Sequence, residues 1–179
     1  MRMLSKRTVL GTTGTLALAA GVHYAFIVAY PHAIIAGLQR RLINNDYPVN
    51  SLRHGNRPTA KDRLVVGPSP DIIYSIGVYD VSKAPLRITG PLTDSYASLS
   101  LYAHNSDNFF VQNDQQVEGG HFDLVLIGPN ATDPHVNGVP TVRAPTNTGI
   151  ILFRFFAGEG SQFEKIDSRR REITCTPLR

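Results

Sequence analysis

From Thr8 to Gln39 the chain contains no Asp, Glu, Lys or Arg. An uncharged stretch of this length exceeds the ~20 residues with which an α-helix crosses a bilayer. Residues 9–30 form the best span: Lys6 and Arg7 bound one side, and Tyr24, Tyr30 and His32 suit the far interface. Pro31 is expected to kink or end this helix. Residues 33–42 then read as a further helical stretch, with Arg40 and Arg41 as its polar exit.

A cleaved export signal is the rival reading. The basic residues before Thr8, the apolar run after it and Ala17-Leu18-Ala19 have the required order. Ser5-Lys6-Arg7-Thr8-Val9-Leu10 also looks like a weakened twin-arginine signal. The apolar run continues through residues 22–30, however, so cleavage after Ala19 would leave a greasy new terminus. An uncleaved anchor is the preferred expectation. The short basic segment before the span favours an N-terminus inside, with the following domain periplasmic and the protein a single-pass component of the inner membrane.

Charge excludes one function class. The formal net charge is +4, and residues 1–52 hold only five of the 18 basic side chains and one of the 14 acidic ones. The excess therefore flanks the apolar segment, and the rest is balanced. Such a domain has no electrostatic footprint for nucleic acid. The run Arg169-Arg170-Arg171 is read as a solvated face. Cys175 is the single cysteine, which excludes an intrachain disulfide and reads as a small apolar strand residue.

The organisation follows: 1–8 a basic n-region, 9–30 a transmembrane anchor, 31–63 a helical extension and linker or arm, and 64–179 a β-rich domain. Short alternating runs separated by turn signals carry the last assignment. In 72–79, Ile72, Tyr74, Ile76 and Val78 share a face. In 96–102, Ala97, Leu99 and Leu101 point inward, and Tyr96, Ser98, Ser100 and Tyr102 point the other way. Further strands are expected at 86–89, 109–112, 121–127, 150–156 and 171–176, with a helix at 161–169. The fold class is mainly β, an antiparallel β-sandwich or barrel-like sheet preceded by one N-terminal transmembrane helix.

Several of these segments carry a resemblance. They are Gly67-Pro68-Ser69-Pro70-Asp71-Ile72-Ile73-Tyr74-Ser75, Val78-Tyr79-Asp80-Val81-Ser82 with Pro85, Tyr96-Ala97-Ser98-Leu99-Ser100-Leu101-Tyr102, and Asp107-Asn108-Phe109. Gly128-Pro129, and Arg143-Ala144-Pro145-Thr146 with the later Arg154, add to it. In order and spacing they resemble the bacterial domain-of-unknown-function 1254 family over residues 56–179, in a short, membrane-anchored form. The resemblance implies a β-rich fold and an envelope setting, and implies no reaction. Longer relatives join this domain to one of the domain-of-unknown-function 1214 type. The resemblance therefore also implies a separate subunit of that type as partner, docked near residues 153–156 and 173–178.

No motif of specific chemistry is present: there is no phosphate-binding glycine loop, nucleophile elbow or zinc-protease helix. The densest polar group is His104, Asp107, Asp114, His121 and Asp123, whose spacing is not diagnostic of a metal site. His104, Asp107, His121 and Asp123 are the candidate catalytic residues. The Tyr96, Ser98, Ser100 and Tyr102 face offers rings and hydroxyls to a polar small ligand, or is simply solvated. Arg154 interrupts an apolar strand, and either pairs with a buried carboxylate or binds an anionic group. The expected function is a non-catalytic ligand- or partner-binding module without cofactor or metal. A hydrolase-like envelope enzyme is the alternative.

Overall fold

The computed structural model describes residues 5–44, 47–59, 68–158 and 160–178. Helix α1 runs without interruption over Lys6–Ile43. Ser5 caps it, its hydroxyl accepting the Thr8 amide at 3.2 Å, and Arg40 and Arg41 sit in the last turn, where cations suit the carbonyl end. Pro31 lies inside the helix, so of the two outcomes expected for it the helix does not end there. A proline removes one N–H bond. Here the turns beyond it are held from outside, because Ile35, Leu38 and Leu42 pack on a β-sheet with Ile76, Val78, Ile150, Tyr102 and Leu152.

The strands are β1 (Arg53–His54), β2 (Ile72–Asp80), β3 (Leu86–Pro91), β4 (Ala97–Ala103), β5 (Asn108–Asn113), β6 (His121–Ile127), β7 (Thr141–Arg143), β8 (Thr148–Phe156) and β9 (Thr174–Pro177). Helix α2 (Ser161–Arg170) precedes β9. The strands form two open sheets: sheet A in the order β1-β2-β8-β4-β5, and sheet B in the order β7-β6-β3-β9. The domain is thus a sandwich and not a closed barrel. All pairs are antiparallel except β6 with β7, which are parallel. The stretch expected to be a linker or arm contributes β1, which pairs Arg53 with Ile76 and His54 with Ser75.

Between the sheets the alternation does what the sequence promised. Leu99, Leu101, Ile151, Phe153 and Phe155 from sheet A meet Leu86, Ile88, Phe122, Leu124 and Leu126 from sheet B, all fully buried. Each such side chain contributes about 1.5–3 kcal/mol by leaving water. Helix α2 adds Ile166 to this core. The other face of sheet A, with Ile76 and Val78, is covered by the end of α1. Strand β2 is therefore apolar on both faces.

The arginine run on α2 departs from expectation. Arg169 and Arg171 are exposed, but Arg170 is fully buried. Its guanidinium donates to Asp167 Oδ1 (2.8 Å from Nε), the Tyr74 carbonyl (2.7 Å) and the Gly55 carbonyl (2.5 Å). A buried guanidinium persists only with such partners.

In the stretches 153–156 and 173–178, where a partner is expected to dock, the apolar side chains are mostly core: Phe153, Phe155 and Ile173 are buried, and Phe156 is the large apolar side chain left exposed there. Cys175 packs against the same core from β9, and burial pushes its thiol up to about 12.

Candidate functional site

The catalytic candidates divide between the sheets. His104 and Asp107 lie on the β4–β5 hairpin, where Asp107 bonds to the Asn105 amide and its carbonyl accepts Ala103 N at 2.9 Å. His121 and Asp123 lie on β6 of sheet B. Asp123 is engaged by Arg87 from β3 through two bonds of 2.9 and 2.7 Å, which hold its carboxyl below the usual range. Asp114 accepts the Ala97 amide at 3.2 Å. Among the described residues no three His, Cys, Asp or Glu side chains are grouped as a metal ion requires.

The Tyr and Ser face is brought together, but not as a solvated surface. Ser98 and Ser100 are buried and Tyr96 is exposed. In register, β4 sets Ser98 opposite Arg154 of β8, and β2 sets Tyr74 opposite the same residue. The Arg154 guanidinium donates to Ser100 Oγ at 2.8 Å and to Tyr102 Oη at 2.9 Å. No carboxylate of the described residues lies within ion-pair distance of it, so the structural partner expected for Arg154 is a pair of hydroxyls. A half-buried cation held by neutral groups retains its attraction for an anion.

Beside it lies a cleft that sequence reasoning missed. Tyr74, Ile76 and Leu152 line it on the sheet, and Arg53, Gly55, Asn56, Arg57, Pro58, Thr59 and Pro68 line it from the arm, enclosing about 460 Å³. Arg154 is two residues from Leu152 on β8 and opposite Tyr74, but its guanidinium reaches toward β4 and it is not one of the lining residues. Arg57 is structural. It donates to the carbonyls of Pro70 (3.3 Å), Ala157 (2.9 Å) and Gly158, with its guanidinium 5.1 Å from the Phe163 ring centre. This side chain staples the arm over the sheet and so forms the cleft wall. The Arg53 guanidinium carbon lies 4.8 Å from the Tyr47 ring centre, a cation–π contact. The arm's polar, turn-rich composition gave no local signal of this role.

Fold and cleft together define a two-sheet β domain that carries a basic-margined cleft and one helix long and apolar enough to cross a membrane. The chain belongs to the family described as protein of unknown function (DUF1254), whose model matches residues 49–177. Among solved structures it is similar to the VPA0106 protein of Vibrio parahaemolyticus, with a TM-score of 0.69 and 14% identity over 86% of this chain. It is also similar to an uncharacterized protein of Burkholderia cenocepacia, with a TM-score of 0.50 and 14% identity over 73% of this chain. The matches cover 37% and 35% of those longer chains, so they speak for the fold alone. No curated protein matches the sequence.

Proposed function

We propose that this protein is an inner-membrane, single-pass binding module. In this reading α1 is its anchor, and the β domain stands on the periplasmic side and holds a small polar ligand bearing an anionic group. Two observations carry the ligand reading: Arg53 lines the cleft, and on the neighbouring part of β8 the half-buried Arg154 guanidinium is bonded, among the described residues, to the hydroxyls of Ser100 and Tyr102. Tyr74, Ile76 and Leu152 offer the apolar floor such ligands bury, Arg53 offers a polar fix in the cleft, and Arg154 stands nearby on β8. Binding is favoured over hydrolysis because Asp123 is committed to Arg87, and His104 and His121 lie on different sheets.

The test is a thermal-shift screen of the full chain in detergent against small carboxylates, phosphate esters and acidic sugars. A ligand at 100 times its Kd stabilises by about 2.7 kcal/mol. A hit that Arg154→Met and Arg53→Ala abolish supports the reading, whereas hits indifferent to both substitutions defeat it. Protease added to spheroplasts tests the side of the membrane. Digestion of the β domain is expected, and full protection would reverse the orientation.

A second reading has its own observation. Strand β9 lies at one edge of sheet B, and Thr174, Thr176 and Pro177 are exposed along it with no strand of the described residues beyond. An open edge is a template for strand pairing. This supports a separate subunit of the domain-of-unknown-function 1214 type as partner. Co-purification in mild detergent tests it, and recovery of the chain alone counts against it.

A further inference from the structure

We propose that the β4–β5 hairpin, residues 104–107, sits in the lipid headgroup layer of the membrane that α1 enters. This inference rests on the anchor reading above and goes beyond it. An anchor could hold its domain on a loose tether, whereas here the domain begins where the lipid ends.

Three observations meet at this point. First, every residue from 5 to 30 is exposed, including Leu10, Leu18, Phe26 and Tyr30, and Pro31 is the first residue that other parts of the chain partly cover. The exposed segment 9–30 spans ~33 Å at ~1.5 Å per residue, close to the ~30 Å hydrocarbon core. The domain-side headgroup layer is then about 5–7 Å thick and falls on residues 31–34. Second, the His32 ring lies 5.6 Å from the His104 ring, at the start of the hairpin. His32 is two residues past Tyr30, about 3 Å along the helix axis. Third, the helix is continuous through Pro31 and its end is fixed to sheet A. Besides the apolar contacts, Gln39 Nε2 donates to the Gly149 carbonyl at 3.4 Å. No linker intervenes to lift the domain away.

From His32 against the end of β4 to Gln39 against the start of β8, which pair with each other at the same end of sheet A, the helix passes from β4 toward β8 and β2. Traced back toward its N-terminus it leaves the sheet past the hairpin, which makes the hairpin the part of the domain nearest the bilayer. Its chemistry is compatible with headgroups and does not explain the contact by attraction. Asn105, Ser106 and Asp107 are polar and the hairpin holds no Lys or Arg. Position is therefore imposed by the anchor. The cleft, built on β1, β2 and β8, lies toward the opposite edge of the sheet, away from this contact.

The experiment places a fluorophore at Ser106→Cys, or separately at Asp107→Cys, in a Cys175→Ser background. The control is Glu164→Cys, exposed on α2 at the other end of the strands. Full-length chains are reconstituted in phosphatidylcholine vesicles, floated, and quenched by headgroup-nitroxide lipid or by soluble iodide. Failure to float overturns the anchor reading, and with it this proposal, before any label is read. Among floating vesicles, lipid quenching at 106 or 107 several-fold above that at 164, with iodide quenching reversed, is the expected result. Equal quenching at the two ends overturns the proposal. Ten Gly/Ser residues inserted between Tyr30 and Pro31 are expected to return the hairpin label to the iodide-accessible state. Persistent lipid quenching there would overturn the claim that the anchor imposes the contact.

Discussion

Arg170 and Asp167 form an ion pair across one turn of α2 in which the guanidinium is wholly buried and the carboxylate is 22% exposed. The pair fastens α2 to β2 and to the arm, since Arg170 also reaches the carbonyls of Tyr74 and Gly55 and, at 3.3 Å, Ser75 Oγ. Removing one partner of a buried pair strands the other, at about 3–5 kcal/mol. Asp167→Asn is expected to lower the unfolding free energy read from urea titration by that order, and Arg170→Met, which removes the buried charge itself, to lower the midpoint by less than Arg170→Ala. Equal midpoints for Arg170→Met and Arg170→Ala would count against this account.

His54 sits beside that pair, its Nδ1 2.9 Å from Ser75 Oγ. Burial first, then the charges of Arg170 and Arg171, lower its pKa from 6.5 to about 4. Between those values the unfolded chain takes up a proton that the folded one refuses. Stability is thus complete above pH 6.5 and falls as the pH drops toward 4. Melting temperatures measured from pH 7.5 to 4.5 should decline, and His54→Gln should flatten the decline.

Gly149 opens the path of β8 beneath two neighbours. A Cβ there would meet the Tyr102 carbonyl and lie 2.5 Å from Tyr79 Oη. The first is backbone and cannot swing aside, so Gly149→Ala is expected to cost at least the ~1–3 kcal/mol of an overpacked core. Gly14 in α1 has nothing within 4 Å, so Gly14→Ala should leave the melting of the β domain unchanged.

The thiol of Cys175, held near 12 by burial, is almost entirely protonated at pH 8. Iodoacetamide should label the native chain at least tenfold more slowly than the chain in 6 M guanidinium. Rapid native labelling would mean that β9 opens readily from β3.

The long strands were legible because alternation is a local signal. The helical spacing of Phe163, Ile166 and Arg170 is also present in the sequence and turns the middle arginine inward, whereas the charge of the run alone points to a solvated face. Other features are made by neighbours remote in sequence. Ser98 and Ser100 looked solvated because nothing near them announces that the Arg154 side chain lies across from the adjacent strand. Strands β1 and β7 span two and three residues and lack any pattern of their own, so partners select them. The cleft depends on Arg57 reaching carbonyls about a hundred residues away, which no local reading detects.

The way α1 is attached also fixes how the protein yields to force. A pull transmitted through α1 loads the seam of Ile35, Leu38 and Leu42 on sheet A before any strand, because the helix is fastened along its side. Once that seam peels, tension passes to β1, which is joined to β2 over only two residue pairs, and then to the Arg57 staple. Mechanical load would therefore open the cleft wall while the core between the sheets stays intact, so the arm behaves as a fuse between α1 and the domain.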